Sequence, residues 1–157
     1  MSREQFWFFH PFRVRYSEID GQGVVFNAHY LTYFDTTITE YFRALGYDQF
    51  ADAKATGIDF HVVKSLIEYK APVLFDWEIE VGARVARIGN SSLTFELAIF
   101  RNGGTDHCAQ EVRDGGQQNG LARCQHLGSD DCGDRIGCVV KTICIGENQR
   151  HEDDKKH

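Results

Sequence analysis

The sequence predicts an α+β fold in which one long helix lies against a single antiparallel sheet. Two observations carry this. From Asn27 to Leu45 the apolar residues recur mostly three or four apart, and from Trp77 to Val81 and again from Leu93 to Ile99 they alternate with polar or small ones. A strand, one long helix and then successive strands places the helix on one face of the sheet.

The elements follow in chain order. Phe12, Val14 and Tyr16 alternate with Arg13, Arg15 and Ser17, the period of a half-buried strand. Gly21 and Gly23 then mark a turn. Tyr30, Leu31, Phe34, Tyr41, Phe42 and Leu45 form one helical face, closed by Gly46. At ~1.5 Å per residue, about 18 residues give a helix near 27 Å long. The run Thr36-Thr37-Ile38-Thr39 opposes helix formation, so packing of the aromatic face has to outweigh it. A shorter helix is predicted over residues 47–56, stopped by Gly57. Residues 58–70, rich in Val, Ile, Phe and Tyr, read as a strand ended by Pro72. Trp77, Ile79 and Val81 alternate with Glu78, Glu80 and Gly82, through Val85 to a turn at Gly89-Asn90. Leu93, Phe95, Leu97 and Ile99 alternate with Thr94, Glu96 and Ala98.

The chain has 157 residues, the length of one domain with a real core. Its net charge of −6 argues against a nucleic-acid partner. No stretch approaches the ~18 apolar residues of a membrane span. The first ten residues show no extended apolar run and no small-residue cleavage site, so a cytoplasmic location is expected.

Composition changes sharply along the chain. All 20 aromatic residues lie at or before Phe100, and all five cysteines at or after Cys108. The reading is therefore a patterned domain over residues 8–101 and an atypical, partly disordered tail over residues 102–157. Past Gly103-Gly104 the periodicity dissolves, and only residues 136–145 have the composition of a strand. A frameshift near residue 104 is one account, since reading the codons one base later permits a strand such as Val-Met-Val-Val-Asn-Lys-Thr. A divergent C-terminus is the other. The cysteines at 108, 124, 132, 138 and 144 lack paired Cys-x-x-Cys spacing, and their number is odd. Neither a metal site nor a disulfide framework is expected.

The candidate chemistry lies between residues 12 and 45. Asp20 stands in a Gly-rich turn seven residues before Asn27, which sits where it can cap the long helix. A carboxylate facing unpaired N–H groups at a helix N-terminus can activate water and polarise a carbonyl, an arrangement suited to acyl transfer or hydrolysis. The plainer reading of Asp20 is a turn residue that accepts local N–H bonds.

Residues 11–101 resemble the hotdog-fold acyl-CoA thioesterases, in the 4-hydroxybenzoyl-CoA thioesterase-like branch. The matching parts are Arg13-Val14-Arg15-Tyr16, the loop Asp20-Gly21-Gln22-Gly23-Val24-Val25-Phe26-Asn27 and the helix start Ala28-His29-Tyr30. Ile67-Glu68-Tyr69-Lys70-Ala71-Pro72 and Arg87-Ile88-Gly89-Asn90-Ser91-Ser92-Leu93 follow in the same order. The resemblance implies a hotdog fold, an acyl-CoA substrate, no cofactor beyond the coenzyme A of that substrate, and a homodimer or homotetramer. It implies Asp20 as the catalytic carboxylate and the backbone N–H near Asn27 as the oxyanion donor. Tyr16, four residues before Asp20, recurs in relatives, while its alternation makes it a core residue. Ser91 and Ser92 are either substrate contacts or simply a turn leading into a strand. Two other functions are compatible with such a fold: a non-catalytic acyl or aromatic ligand-binding protein, and a hydratase. Against the hydratase, Asp20 and His29 lie nine apart and no Asn-Pro-x-His precedes the helix.

Overall fold

Among the described residues, five antiparallel strands form one sheet that carries one long helix on one face. The computed structural model describes residues 1–89 and 91–119. The elements are β1 (Phe8–Arg13), α1 (Asn27–Ala44), α2 (Gln49–Thr56), β2 (Ile58–Tyr69), β3 (Glu78–Ile88), β4 (Ser92–Arg101) and β5 (His107–Asn119). The strand order in the sheet is β1-β3-β4-β5-β2. This is the α+β hotdog architecture the sequence predicts.

Helix α1 forms where the apolar stripe predicts it, except that Leu31, predicted on the buried face, is exposed and Tyr33 and Thr37 are buried instead. Tyr30, Tyr33, Phe34, Tyr41 and Phe42 are buried against the sheet. Tyr41 and Phe42 both meet Phe95 of β4 edge to face, with ring centroids 5.6 and 5.7 Å apart, and Tyr33 packs on Phe12. Thr37, in the β-branched run, is fully buried and donates its hydroxyl to the Tyr33 carbonyl at 2.7 Å. Its polar atom is thus satisfied and packing decides the helix. Helix α2 is shorter than the predicted 47–56, starting after Asp48, whose side chain accepts the Ala51 N–H at 2.9 Å. It ends at Gly57, which takes the left-handed conformation at φ 70°.

Two expectations need correction. The first strand runs over Phe8–Arg13, earlier than the alternation around Tyr16 implies. It pairs with β3 from Phe8↔Ala83 to Arg13↔Glu78, and the ladder stops where β3 begins. Val14 still points into the core, but Tyr16 opens a 3₁₀ turn, Tyr16–Glu18, and is 78% exposed. It packs edge to face on Phe75 and belongs to no core.

The second correction concerns the boundary at residue 101. The sheet continues past it: β5 lies between β4 and β2 and hydrogen-bonds to both. An interior strand receives a ladder on each side, and that pairing overrides poor intrinsic strand propensity. The strand expected at residues 136–145, the solvated end and four of the cysteines lie outside the described residues. The fifth, Cys108, is buried on β5, and burial pushes its thiol up.

On the other face of the sheet, Phe6, Phe9 and Phe100 stack with Ala98. Gly82 permits this, since a Cβ there would stand 2.8 Å from the Phe6 ring. Among the described residues, strands β1 and β2 are the sheet edges. β2 is long and exposes Val62, Val63, Leu66 and Tyr69.

Candidate active site

The Asp20 loop and the start of α1 form one hydrogen-bonded unit. The Phe26 N–H donates to the Glu18 carbonyl at 2.9 Å, Ile19 bridges Val25, and the Asp20 N–H donates to the Val24 carbonyl at 2.8 Å. Gly23, at φ 77°, closes the turn by donating to the Asp20 carbonyl, a backbone shape that glycine adopts freely. The side chain of Asp20 accepts the Gln22 N–H at 2.8 Å and is partly exposed. It therefore makes the local bond of a turn residue while one carboxylate oxygen stays available. The loop is tied to the body of the domain by the Val25 N–H donating to Val73, and by the Val24–Leu74 bridge.

Asn27 does not cap α1. The N-cap is Phe26, with no side-chain cap bond, and Asn27 is the first helical residue. An apolar cap leaves the first N–H groups of the helix without a side-chain acceptor. These groups carry the positive end of the helix dipole, and they lie on the same unit as Asp20. The loss of the predicted cap is what makes the helix end usable as an anion site.

Sequence reasoning passed over Glu18, two residues before Asp20. It is buried and accepts the Tyr33 hydroxyl at 2.6 Å, the Arg15 N–H at 2.8 Å and the Arg15 guanidinium at 2.6 and 2.9 Å. Burial by itself would raise this carboxyl. The hydrogen bonds from Tyr33 and Arg15 outweigh it and hold the group below the usual carboxylate range. The Tyr33 phenol is pushed up, by burial first and then by its bond to Glu18. Glu18 thus ties the Asp20 loop to the second turn of α1. The available signal was the Arg15-x-x-Glu18 spacing, which the 3₁₀ turn over Tyr16–Glu18 brings together.

Tyr69 of β2 stands at the mouth of the helix, its hydroxyl donating to the Asn27 carbonyl at 3.3 Å and its ring 5.0 Å from that of Tyr30. Val25, Asn27, Tyr30, Tyr69 and Pro72 line a shallow depression of about 270 Å³ there. Ser91 and Ser92 are not brought to it. They lie at the β3–β4 turn, where the Gly89 N–H donates to the Ser92 carbonyl. The Asp20 loop is tied instead to Val73 and Leu74, before the start of β3, so about ten residues of strand, ~33 Å, separate the two within the chain.

The fold, with an Asp-bearing loop that leads directly into α1, invites comparison with known proteins. The family model of the thioesterase superfamily matches residues 22–108, more than half of the chain. The chain belongs to that superfamily, as a thioester hydrolase.

Its relatives narrow the comparison. The acyl-CoA thioesterase YbgC of Haemophilus influenzae is 32% identical over 92 residues, 59% of this chain and 68% of that protein. The acyl-CoA thioester hydrolase YbgC of Escherichia coli O6:H1 is 33% identical over 89 residues, 57% of this chain and 66% of that one. Among solved structures, the PA5185 protein of Pseudomonas aeruginosa aligns at a TM-score of 0.68 and 32% identity, covering 86% of this chain and 94% of that one. DHNA-CoA thioesterase of Staphylococcus aureus shares the fold, with a TM-score of 0.73 at 18% identity over 90% of this chain and 93% of that one.

Proposed function

We propose that the protein hydrolyses acyl-CoA thioesters to the free acid and coenzyme A, with Asp20 as the reacting carboxylate. The observation that carries this reading is the pairing of Asp20 with the uncapped first turn of α1 in one hydrogen-bonded unit. The thioester carbonyl oxygen accepts N–H bonds at the helix end, whose dipole stabilises the oxyanion as charge develops. Asp20 takes a proton from water that adds to the carbonyl carbon, or adds to it directly and forms an anhydride that water then opens. In both routes the C–S bond breaks and coenzyme A leaves as the thiol. Neither route needs a cofactor.

We further propose that the substrate lies between two copies of this chain joined along β2. Its long edge exposes Val62, Val63, Leu66 and Tyr69, the features of an edge that pairs. A monomer in sedimentation would count against this assembly.

Asp20→Asn keeps the shape of the side chain but neither attacks nor takes a proton. Thiol release from a panel of short-chain, long-chain and aromatic acyl-CoAs is expected to fall by ~10²–10⁴, with folding unchanged. Full-rate hydrolysis by this variant would sink the assignment. Binding by the wild-type protein without any turnover would favour the ligand-binding reading. Label from oxygen-18 water appearing in the Asp20 carboxylate in a single turnover would select the anhydride route.

A further inference from the structure

Arg113 places a cation within the helix-facing side of the sheet. Its side chain is only 5% exposed. The Nε donates to Glu111 and a terminal nitrogen to Asp35 of α1, each at 2.9 Å. Glu111 is fully buried beside it and also accepts the Ser65 hydroxyl from β2. A guanidinium has more N–H donors than these two bonds use. Arg113 lines two adjoining crevices. One, of about 360 Å³, is bounded by Leu31, Asp35, Val62 and Ser65. The other, of about 200 Å³, is bounded by Ile38, Phe42, Phe60 and Phe95 together with the polar Gln49 and His61.

These crevices lie on a line that begins at the helix N-terminus. Asn27, Leu31 and Asp35 recur four apart and so form one stripe of α1. Tyr69 and Ser65 follow the same direction on β2, Tyr69 bonded to Asn27 and Ser65 beside Arg113. From Asn27 to Asp35 the stripe runs ~12 Å along the helix axis, longer than one aromatic ring and matched by a chain of medium length.

Charge selects what can sit at the far end. One cation, Arg113, faces two carboxylates, Glu111 and Asp35, so a terminal carboxylate would meet net negative charge. A hydroxyl satisfies both signs, accepting from Arg113 and donating to Asp35. Asp35 is 73% exposed and can shift to receive it.

We propose that Arg113 and Asp35 form a specificity site for a hydroxylated acyl chain, whose distal hydroxyl sits between them while its thioester lies at the start of α1. The orientation of the chain rests on the thioesterase reading; the hydroxyl site rests on the crevice itself.

The test uses non-hydrolysable coenzyme A thioethers with decyl, ω-hydroxydecyl and ω-carboxydecyl chains, titrated calorimetrically into the full-length protein. The hydroxylated chain is expected to bind about tenfold more tightly than decyl, as one added hydrogen bond to a charged group would give, and the carboxylated chain no more tightly than decyl. Asp35→Ala is the variant of choice, because Arg113→Met would strand Glu111 and risk the fold. It should reduce the preference of the hydroxylated over the decyl chain, measured within the same variant, to within about twofold. Equal binding of the three chains, binding of none, or a preference that survives Asp35→Ala would overturn the proposal. Hydroxyl preference in the thioethers with no cleavage of the matching thioesters would sustain the proposal and sink the thioesterase reading instead.

Discussion

Strands β4 and β5 lie side by side and present the same face to α1, yet they are stabilised differently. On β4 that face is Leu93, Phe95, Leu97 and Ile99, all buried. On β5 the partners of Phe95 and Leu97 are Arg113 and Glu111, equally buried, and Leu93 faces Gly115. Each buried aliphatic or aromatic side chain of β4 contributes about 1.5–3 kcal/mol. The ion pair of β5 has to offset the desolvation of both charges first, and such pairs often gain nothing over apolar residues. Glu111 is also incompletely satisfied, since its Oε2 has no hydrogen-bond partner among the described residues. The comparison teaches that backbone pairing on both sides can hold a strand whose side chains do little for it. The same weakness leaves a charged crevice beside the helix.

Breaking the pair tests this most severely. Glu111→Ala leaves Arg113 buried with only the exposed Asp35 as counter-ion, and a loss of about 3–5 kcal/mol is expected in urea unfolding. Making β5 resemble β4 should act in the other direction. Glu111→Leu combined with Arg113→Met is expected to gain about 1–4 kcal/mol, read as a higher urea midpoint with an unchanged slope. A destabilised double variant would mean that the pair supplies net stability.

The smallest effect sharpens the contrast with a charge that is well satisfied. Glu18 is as buried as Glu111, but its carboxylate accepts four bonds. Its folded-state pKa is depressed, so its contribution is present above the unfolded value near 4.3 and is lost as pH falls through the folded value. Glu18→Ala should cost about 1–3 kcal/mol at neutral pH, chiefly by stranding the Tyr33 hydroxyl. The difference between variant and wild type should shrink as pH is lowered below about 4. A gap that stays constant down to strongly acid pH would remove the charged form of Glu18 from the explanation.

Much of this was legible in the sequence, for reasons that differ by element. The periods of α1, β3 and β4 largely reach the structure, because each buries a stripe of its own residues. The exceptions are Leu31, which is exposed, and the register shifts at Val85/Arg87 of β3 and Ile99/Phe100 of β4. The Asp20 loop was legible as well, since glycine spacing and a carboxylate before a helix are local features. Glu18 was not. Its burial depends on Tyr33, fifteen residues away, and no period announces such a pair.

The sequence by itself determined that one helix and a series of alternating strands would share a core, and that Asp20 would stand just before the helix. Those outcomes follow from periodicity and turn chemistry, which act over a few residues. Tertiary structure alone decided that β5 exists, that Phe26 rather than Asn27 precedes the helix without capping it, and that Tyr16 faces solvent while Ser91 and Ser92 lie at the far end of the sheet. It also decided that Arg113 meets Asp35. Each of these depends on which strand lies beside which, and hydrogen bonds between distant strands leave no trace in the order of the side chains.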